Sequence, residues 1–180
     1  EKQDCLINRL LIPYPNARIV HRLDQATSGI VIIALSHPAQ KGMGQLFEKR
    51  TIQKSYGAVV EGIIAKDRGS VDLPLICDWP NRPRQIVDHE NGKQALTHYE
   101  VMERNRGGNH TRVLLKPVTG RSHQLRVHMQ ALGHSILGDG LYATGKALEA
   151  SPRLLLHAAT IEFVHPINAE AVSIQSPYPF

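Results

Sequence analysis

The 180-residue chain is poor in cysteine, in aromatic residues and in long apolar runs, and each shortage excludes something. Its two cysteines, Cys5 and Cys77, form no Cys-x-x-Cys pair. A zinc ribbon and a disulfide-stapled scaffold are therefore out, and both thiols are expected as small core residues in a reducing cytosol. The longest strongly apolar run, Gly29 to Leu35, is far shorter than the roughly 20 residues a membrane helix needs. No signal peptide opens the chain, which begins at Glu1 rather than Met and reads as a fragment or processed form. A glycine-rich phosphate loop is missing as well. What is present is the composition of one globular domain spanning 1–180, 42% hydrophobic and 21% charged, long enough to bury a core.

Charge is the first positive signal. The net charge is +5 and the pI near 9.4, which fits an anionic partner. Between Arg104 and Gly138 there is no Asp or Glu, while Arg104, Arg106, Arg112, Lys116, Arg121 and Arg126 share that stretch with His110, His123, His128 and His134. A one-sign stretch of this kind suits a phosphate backbone, whose neutralisation releases counterions. It is equally the pattern of a solvated basic face.

Periodicity places the elements. Leu6, Ile7, Leu10 and Leu11 have helical spacing over Asp4–Leu11, stopped by Pro13 and Pro15. Gly29 to Leu35 predicts a buried strand, 38–50 a helix weakened by Gly42 and Gly44, and 53–61 a strand with Lys54 and Tyr56 on one face. The segment 62–92 reads as a long excursion with short strands at best, its tip at Asp78-Trp79-Pro80-Asn81-Arg82-Pro83. A strand pair follows at 95–103 and 111–118, then a helix over 122–132 with Leu125, Met129 and Leu132 as its core stripe and Gly133 as its cap. Strands at 158–164 and 171–175 close the chain. The fold class is α+β, a mixed and largely antiparallel sheet with flanking helices and a central cleft.

Two polar clusters stand at junctions where sites are built. The first is His21-Arg22-Leu23-Asp24-Gln25-Ala26-Thr27-Ser28-Gly29, ahead of the apolar strand. In it Asp24 fits a nucleophile or general base and His21 a proton carrier, unless Asp24 and Thr27 only bond turn amides. The second is Thr119-Gly120-Arg121-Ser122-His123-Gln124-Leu125-Arg126-Val127-His128, at a helix N-terminus that suits an anion. There Arg126 is placed to hold a carboxylate bidentately. His123 and His128 lie five apart, the wrong spacing for two metal ligands on one helical face, so no metal is expected. Tyr56 beside Lys54 fits a base-stacking platform or a half-buried core tyrosine.

These motifs, in this order, resemble the RluA family of pseudouridine synthases. The likeness runs from Val20 to Pro166 and includes Gly133-His134-Ser135-Ile136-Leu137-Gly138-Asp139 and Arg153-Leu154-Leu155-Leu156-His157-Ala158. Ser135 stands where the family usually has Pro. The family's Lys-Pro-x-Gly segment is expected ahead of Glu1, and no room is left for a separate N-terminal RNA-binding domain.

The resemblance implies an isomerase that converts uridine to pseudouridine in ribosomal or transfer RNA stem-loops, as a cytoplasmic monomer without cofactor. It makes Asp24, Tyr56 and Arg126 the catalytic set. Asp24 either attacks ribose C1′ or works through a glycal, and both roles need a carboxylate that Arg126 keeps ionised. Tyr56 packs on the uracil, with a part in removing the C5 proton. The RNA-binding set is Arg22, which fills the space of the flipped base, with His21, Lys54, Arg121, His123 and Gln124. The other readings are a non-catalytic RNA-binding domain of the same fold and a His/Asp hydrolase of phosphodiesters.

Overall fold

The structure, a computed structural model, describes residues 4–180. In chain order it runs α1 (Leu6–Leu11), β1 (Arg18–Ile19), β2 (Ser28–Gly29), β3 (Ile33–Ala34), α2 (His37–Glu48) and β4 (Gln53–Glu61). There follow β5 (Arg68–Asp72), β6 (Leu75–Cys77), a 3-10 turn at Trp79–Asn81, β7 (Gln85–Val87), β8 (Leu96–Asn105) and β9 (His110–Pro117). The last elements are α3 (Gln124–Ala131), α4 (Gly145–Glu149), β10 (Leu156–Val164) and β11 (Ala171–Gln175). A seven-stranded sheet has the order β11-β10-β4-β9-β8-β5, antiparallel along that path, with β2 joining β10 in parallel. The α+β class and the largely antiparallel sheet are those the pattern predicts.

The sheet is organised around β4, where Ala58 and Val60 have no exposed surface. Leu125 and Met129 of α3 pack into one cluster with Val60, Val113, Leu115 and Leu156. α3 is buried from Gln124 to Met129, so Arg126 and His128 lie inside the protein. Gly133 ends it at φ +89, and His134 N–H bonds the Met129 carbonyl behind it, the glycine-capped helix end in which only a residue without Cβ is unstrained. The leading edge of α2 is set by Ser36, whose hydroxyl accepts the Ala39 amide.

Several expectations give way to the structure. The apolar run 29–35 is not one buried strand: Ser28 and Gly29 pair with β10, Ile33 and Ala34 pair with β1, and Leu35 is exposed. α1 forms where the spacing places it but buries none of its residues fully, so it is no core helix. Leu132 lies at the surface, outside the core stripe. Cys5 and Cys77 are free thiols that are only partly buried. The excursion 62–92 does hold short strands, β5 on the sheet edge and the β6–β7 hairpin. Neither β1 nor α4 announced itself, because two- and five-residue elements are too short to display a period.

One contact fixes the loop that carries Asp24. Gly29 sits at φ +107, and a Cβ there would lie 2.2 Å from the Ala158 carbonyl oxygen of β10. The close pairing of Ser28 with His157 and Gly29 with Ala158 therefore needs glycine. Opposite it, the register between β10 and β4 shifts between Ala158 and Thr160, a bulge at the level of Tyr56. Gly29→Ala should lower stability by about 2–4 kcal/mol and cut activity further than that loss explains, checked by chemical denaturation beside a turnover assay.

Candidate active site

The two motif loops meet over β4. Between them lies a cleft of about 280 Å³ lined by His21, Arg22, Asp24, Lys54, Tyr56, Arg121, His123 and Gln124, with Phe47 and Leu156 among its apolar walls. β4 supplies Lys54 and Tyr56 from one face, as alternation predicts. The β1–β2 loop supplies Asp24, whose carbonyl accepts the Thr27 amide in a tight turn.

Arg126 is the hinge of the electrostatics. Its Nε and Nη2 donate to Asp139 at 2.8 and 2.6 Å, and its Nη1 stands 3.6 Å from Asp24 Oδ2. Arg126 does hold a carboxylate bidentately, but that carboxylate is Asp139, which has no exposed surface and also accepts the Leu141 and Tyr142 amides. Burial alone would lower the guanidinium, but the Asp139 hydrogen bonds and charge, with Asp24 behind them, carry it above its ordinary value. One nitrogen of a fully anchored, permanently charged fork is thus left facing the candidate catalytic aspartate.

His123 approaches Asp24 from the other side, Nε2 at 3.9 Å from Oδ1. It precedes α3 in the left-handed region, φ +53. The Tyr142 hydroxyl accepts the Gln85 amide at 2.8 Å and lies 2.6 Å from His123 Nδ1. The tautomer that uses the hydroxyl's own hydrogen makes Nδ1 the acceptor and turns Nε2–H toward Asp24. Burial pushes His123 down against the opposing pull of Asp24, which fits this neutral ring. Asp139, which only ends a motif, and Tyr142 are given no role by the sequence. The acid-free stretch ends at Asp139, a usable signal, whereas nothing in the sequence marks Tyr142 as a neighbour of His123.

Other residues take up structural work. His21 stacks on Phe47 at 4.8 Å between ring centroids and accepts the Ile32 amide at Nε2, contacts that tie its loop to α2 and to the run after β2. Gln124 does not keep the RNA-binding role assigned to it. Its Oε1 accepts from Thr119 Oγ1 and the Arg121 amide, its Nε2 donates to the Leu96 carbonyl and Thr97 Oγ1, and no donor or acceptor remains for a ligand. The Arg121 amide that this side chain takes lies three residues ahead of α3. His128 is likewise internal, bonded to Thr97 Oγ1 and the Leu73 carbonyl.

The acid-free stretch is not one RNA-gripping face. Folding brings Asp67 to Arg104, Glu100 to Lys116 and Asp139 to Arg126, while Arg112 donates to the Phe180 carbonyl. Arg106 lies in the β8–β9 turn, roughly 25 Å along the strand from the cleft end of β9 at 3.3 Å per residue. Arg22, Lys54 and Arg121 do line the cleft, and among the described residues no carboxylate stands within 4.0 Å of any of them.

Tyr56 stays a phenol. Burial first, then the Asp24 charge, pushes it up to about 12. His21 shifts the other way, burial and the Lys54 charge taking it down to about 4. The unfolded chain therefore protonates His21 below its ordinary 6.5, while the folded chain resists until about 4. His21 thus contributes a loss of stability as pH falls from 6.5 toward 4, and none above 6.5. Melting temperature against pH should show that acid arm, and His21→Gln should flatten it in part. His123, His128 and His157, all lowered by burial, add to the same slope.

A cleft of nucleobase size, with an Arg-braced aspartate and a half-buried tyrosine inside and cations without carboxylate partners at its mouth, defines an enzyme that works on a base of a polyanion. The chain belongs to the RNA pseudouridylate synthase family, which it matches over residues 4–131. It is 49% identical over its full length to the dual-specificity RNA pseudouridine synthase RluA of Escherichia coli strain K12, covering 82% of that protein. It is 51% identical over 166 residues, 92% of this chain and 80% of the other, to the RluA of Yersinia pestis. Among solved structures it resembles human RNA pseudouridylate synthase domain containing 1, with a TM-score of 0.85, 34% identity and coverage of 97% of this chain and 74% of that one. The protein is an RNA pseudouridine synthase, an isomerase. Among the described residues no helix is long and apolar enough to cross a membrane.

Proposed function

We propose that this synthase acts on uridines in the stem-loops of ribosomal or transfer RNA, as a single cytoplasmic catalytic domain working as a monomer without a cofactor. The observation that carries the mechanism is the meeting of Asp24 and Tyr56 in one cleft of about 280 Å³, with the buried Arg126 behind Asp24, its Nη1 3.6 Å from Oδ2. The target uridine leaves its stack, at a cost of a few kcal/mol, and its base enters against Tyr56. Arg22, exposed at the cleft mouth, fills the space it vacates, and phosphate contacts offset the rest.

The N1–C1′ bond then breaks. Either Asp24 attacks C1′ and is displaced when C5 bonds there, or it takes the C2′ proton to leave a glycal and returns it to C2′ as C5 adds to C1′. The uracil, which leaves as its N1 anion, turns, C5 bonds to C1′, the C5 proton passes to solvent and N1 takes one from solvent. Nothing is oxidised or reduced. Arg126 Nη1 balances negative charge on Asp24 and on the departing base, and it does so without reorganising, because Asp139 already holds the fork. With its proton held up to about 12, Tyr56 enters as a packing phenol rather than a standing base.

The dual-specificity RNA activity named for the relatives at 49–51% identity favours more than one RNA as substrate. The test is tritium release from transcripts labelled at uridine C5, using an anticodon stem-loop and large-subunit ribosomal RNA fragments. Release from at least one stem-loop is expected. Release from unstructured RNA alone would overturn the substrate assignment.

A further inference from the structure

Beside the base cleft lies a second one, of about 300 Å³, and the two are contiguous: Phe47, Lys54, Thr119, Gly120 and Arg121 line both. Arg50, just past the end of α2, lies at the far wall. Arg50, Lys54 and Arg121 are cations on this wall, Glu48 is the acid on it, and among the described residues no carboxylate is within 4.0 Å of any of the three cations. Lys54 stands at the junction. Its ammonium rests 5.6 Å from the Phe47 ring centroid, is partly buried, and is lowered by that burial with no counter-ion to oppose it. Gly120 faces Lys54 across the junction, the site of an added Cβ lying 3.9 Å from Nζ. A half-desolvated cation without a carboxylate is costly unless an anion from outside completes it.

We propose that the second cleft is a phosphodiester subsite, which takes the backbone phosphate adjoining the flipped uridine between Arg50, Lys54 and Arg121. This rests on the reading of the first cleft as the uridine site. Arg50 gains a function here that no sequence motif suggested, because it lies outside both motif loops. The subsite makes an internal nucleotide, phosphodiester-linked to its neighbour, a better substrate than the nucleoside alone. It also holds the strand next to the point where the base turns.

The test pairs a protein change with a substrate change. Binding of one converted RNA is measured across a salt series for the wild type, Arg50→Ala and, as a charge-matched control remote on β5, Arg68→Ala. The RNAs are the natural strand and versions with a single neutral methylphosphonate on either side of the target. Arg50→Ala should weaken binding of the natural RNA about 5- to 10-fold and flatten the logarithmic salt slope by about one, with Arg68→Ala unchanged. One methylphosphonate should weaken the wild type by at least that factor and cost Arg50→Ala distinctly less, because only the Lys54 and Arg121 contacts remain to be lost there. An unaltered salt slope in Arg50→Ala, or equal losses for every methylphosphonate in both proteins, would overturn the subsite. If the wild type converts no stem-loop, the substrate assignment fails on its own, and the same comparison is run on the RNA it does convert.

Discussion

Asp24→Asn should fold normally, bind RNA as the wild type does, and release no measurable tritium from uridine C5. The substitution keeps the volume and leaves the Asp24 carbonyl free to accept the Thr27 amide, so the turn persists. Arg126 remains tied to Asp139 by two short bonds, 2.8 and 2.6 Å. The fold therefore loses no buried partner. The chemistry loses its negative oxygen: an amide neither attacks C1′ nor takes a ribose proton. The expected drop in turnover is at least about 10³-fold, with the dissociation constant for RNA within a few-fold of wild type. Retained release would remove Asp24 from the chemistry and direct attention to His123, whose Nε2 stands 3.9 Å from its carboxylate. Lost release together with lost RNA binding would instead indicate a collapsed loop, which the melting temperature separates.

Much of this cleft was legible before any coordinates, for a physical reason. Asp24, Lys54, Tyr56, Arg121, His123 and Arg126 come in short runs, and each run lies on one element or one turn, so spacing alone orders them. The long strands were legible too, since alternation over nine residues in β4 and ten in β8 is hard to mistake. What failed was everything decided by tertiary partners. The acid-free stretch looked like a basic face because Asp67, Glu100 and Asp139 are distant or just outside it in sequence, and folding returns them to Arg104, Lys116 and Arg126. Gln124 looked like an RNA contact because it sits inside the motif, yet its amide is saturated by Thr119, Arg121, Leu96 and Thr97. The run 29–35 looked like one strand because nothing local shows that its two ends pair with different partners, β10 and β1.

Asp139→Ala should be the most destabilising single change near the site. Arg126 is 4% exposed and Asp139 not at all, so the variant leaves a guanidinium buried with Asp24 alone for company, at 3.6 Å. Breaking a buried ion pair by removing one partner costs about 3–5 kcal/mol, and here the Leu141 and Tyr142 amides lose their acceptor as well. For a chain of this size the melting temperature should fall by roughly 6–20 °C. Turnover should fall more than the folded fraction does, because an untethered fork no longer holds Nη1 fixed against Asp24. The pair Arg126→Met with Asp139→Leu separates the two effects. Well-packed apolar replacements of a buried ion pair are often neutral or stabilising, so melting should largely recover while tritium release stays absent. Recovery of release along with stability would mean that the positive charge beside Asp24 serves the fold alone, and the electrostatic half of the mechanism would have to be abandoned.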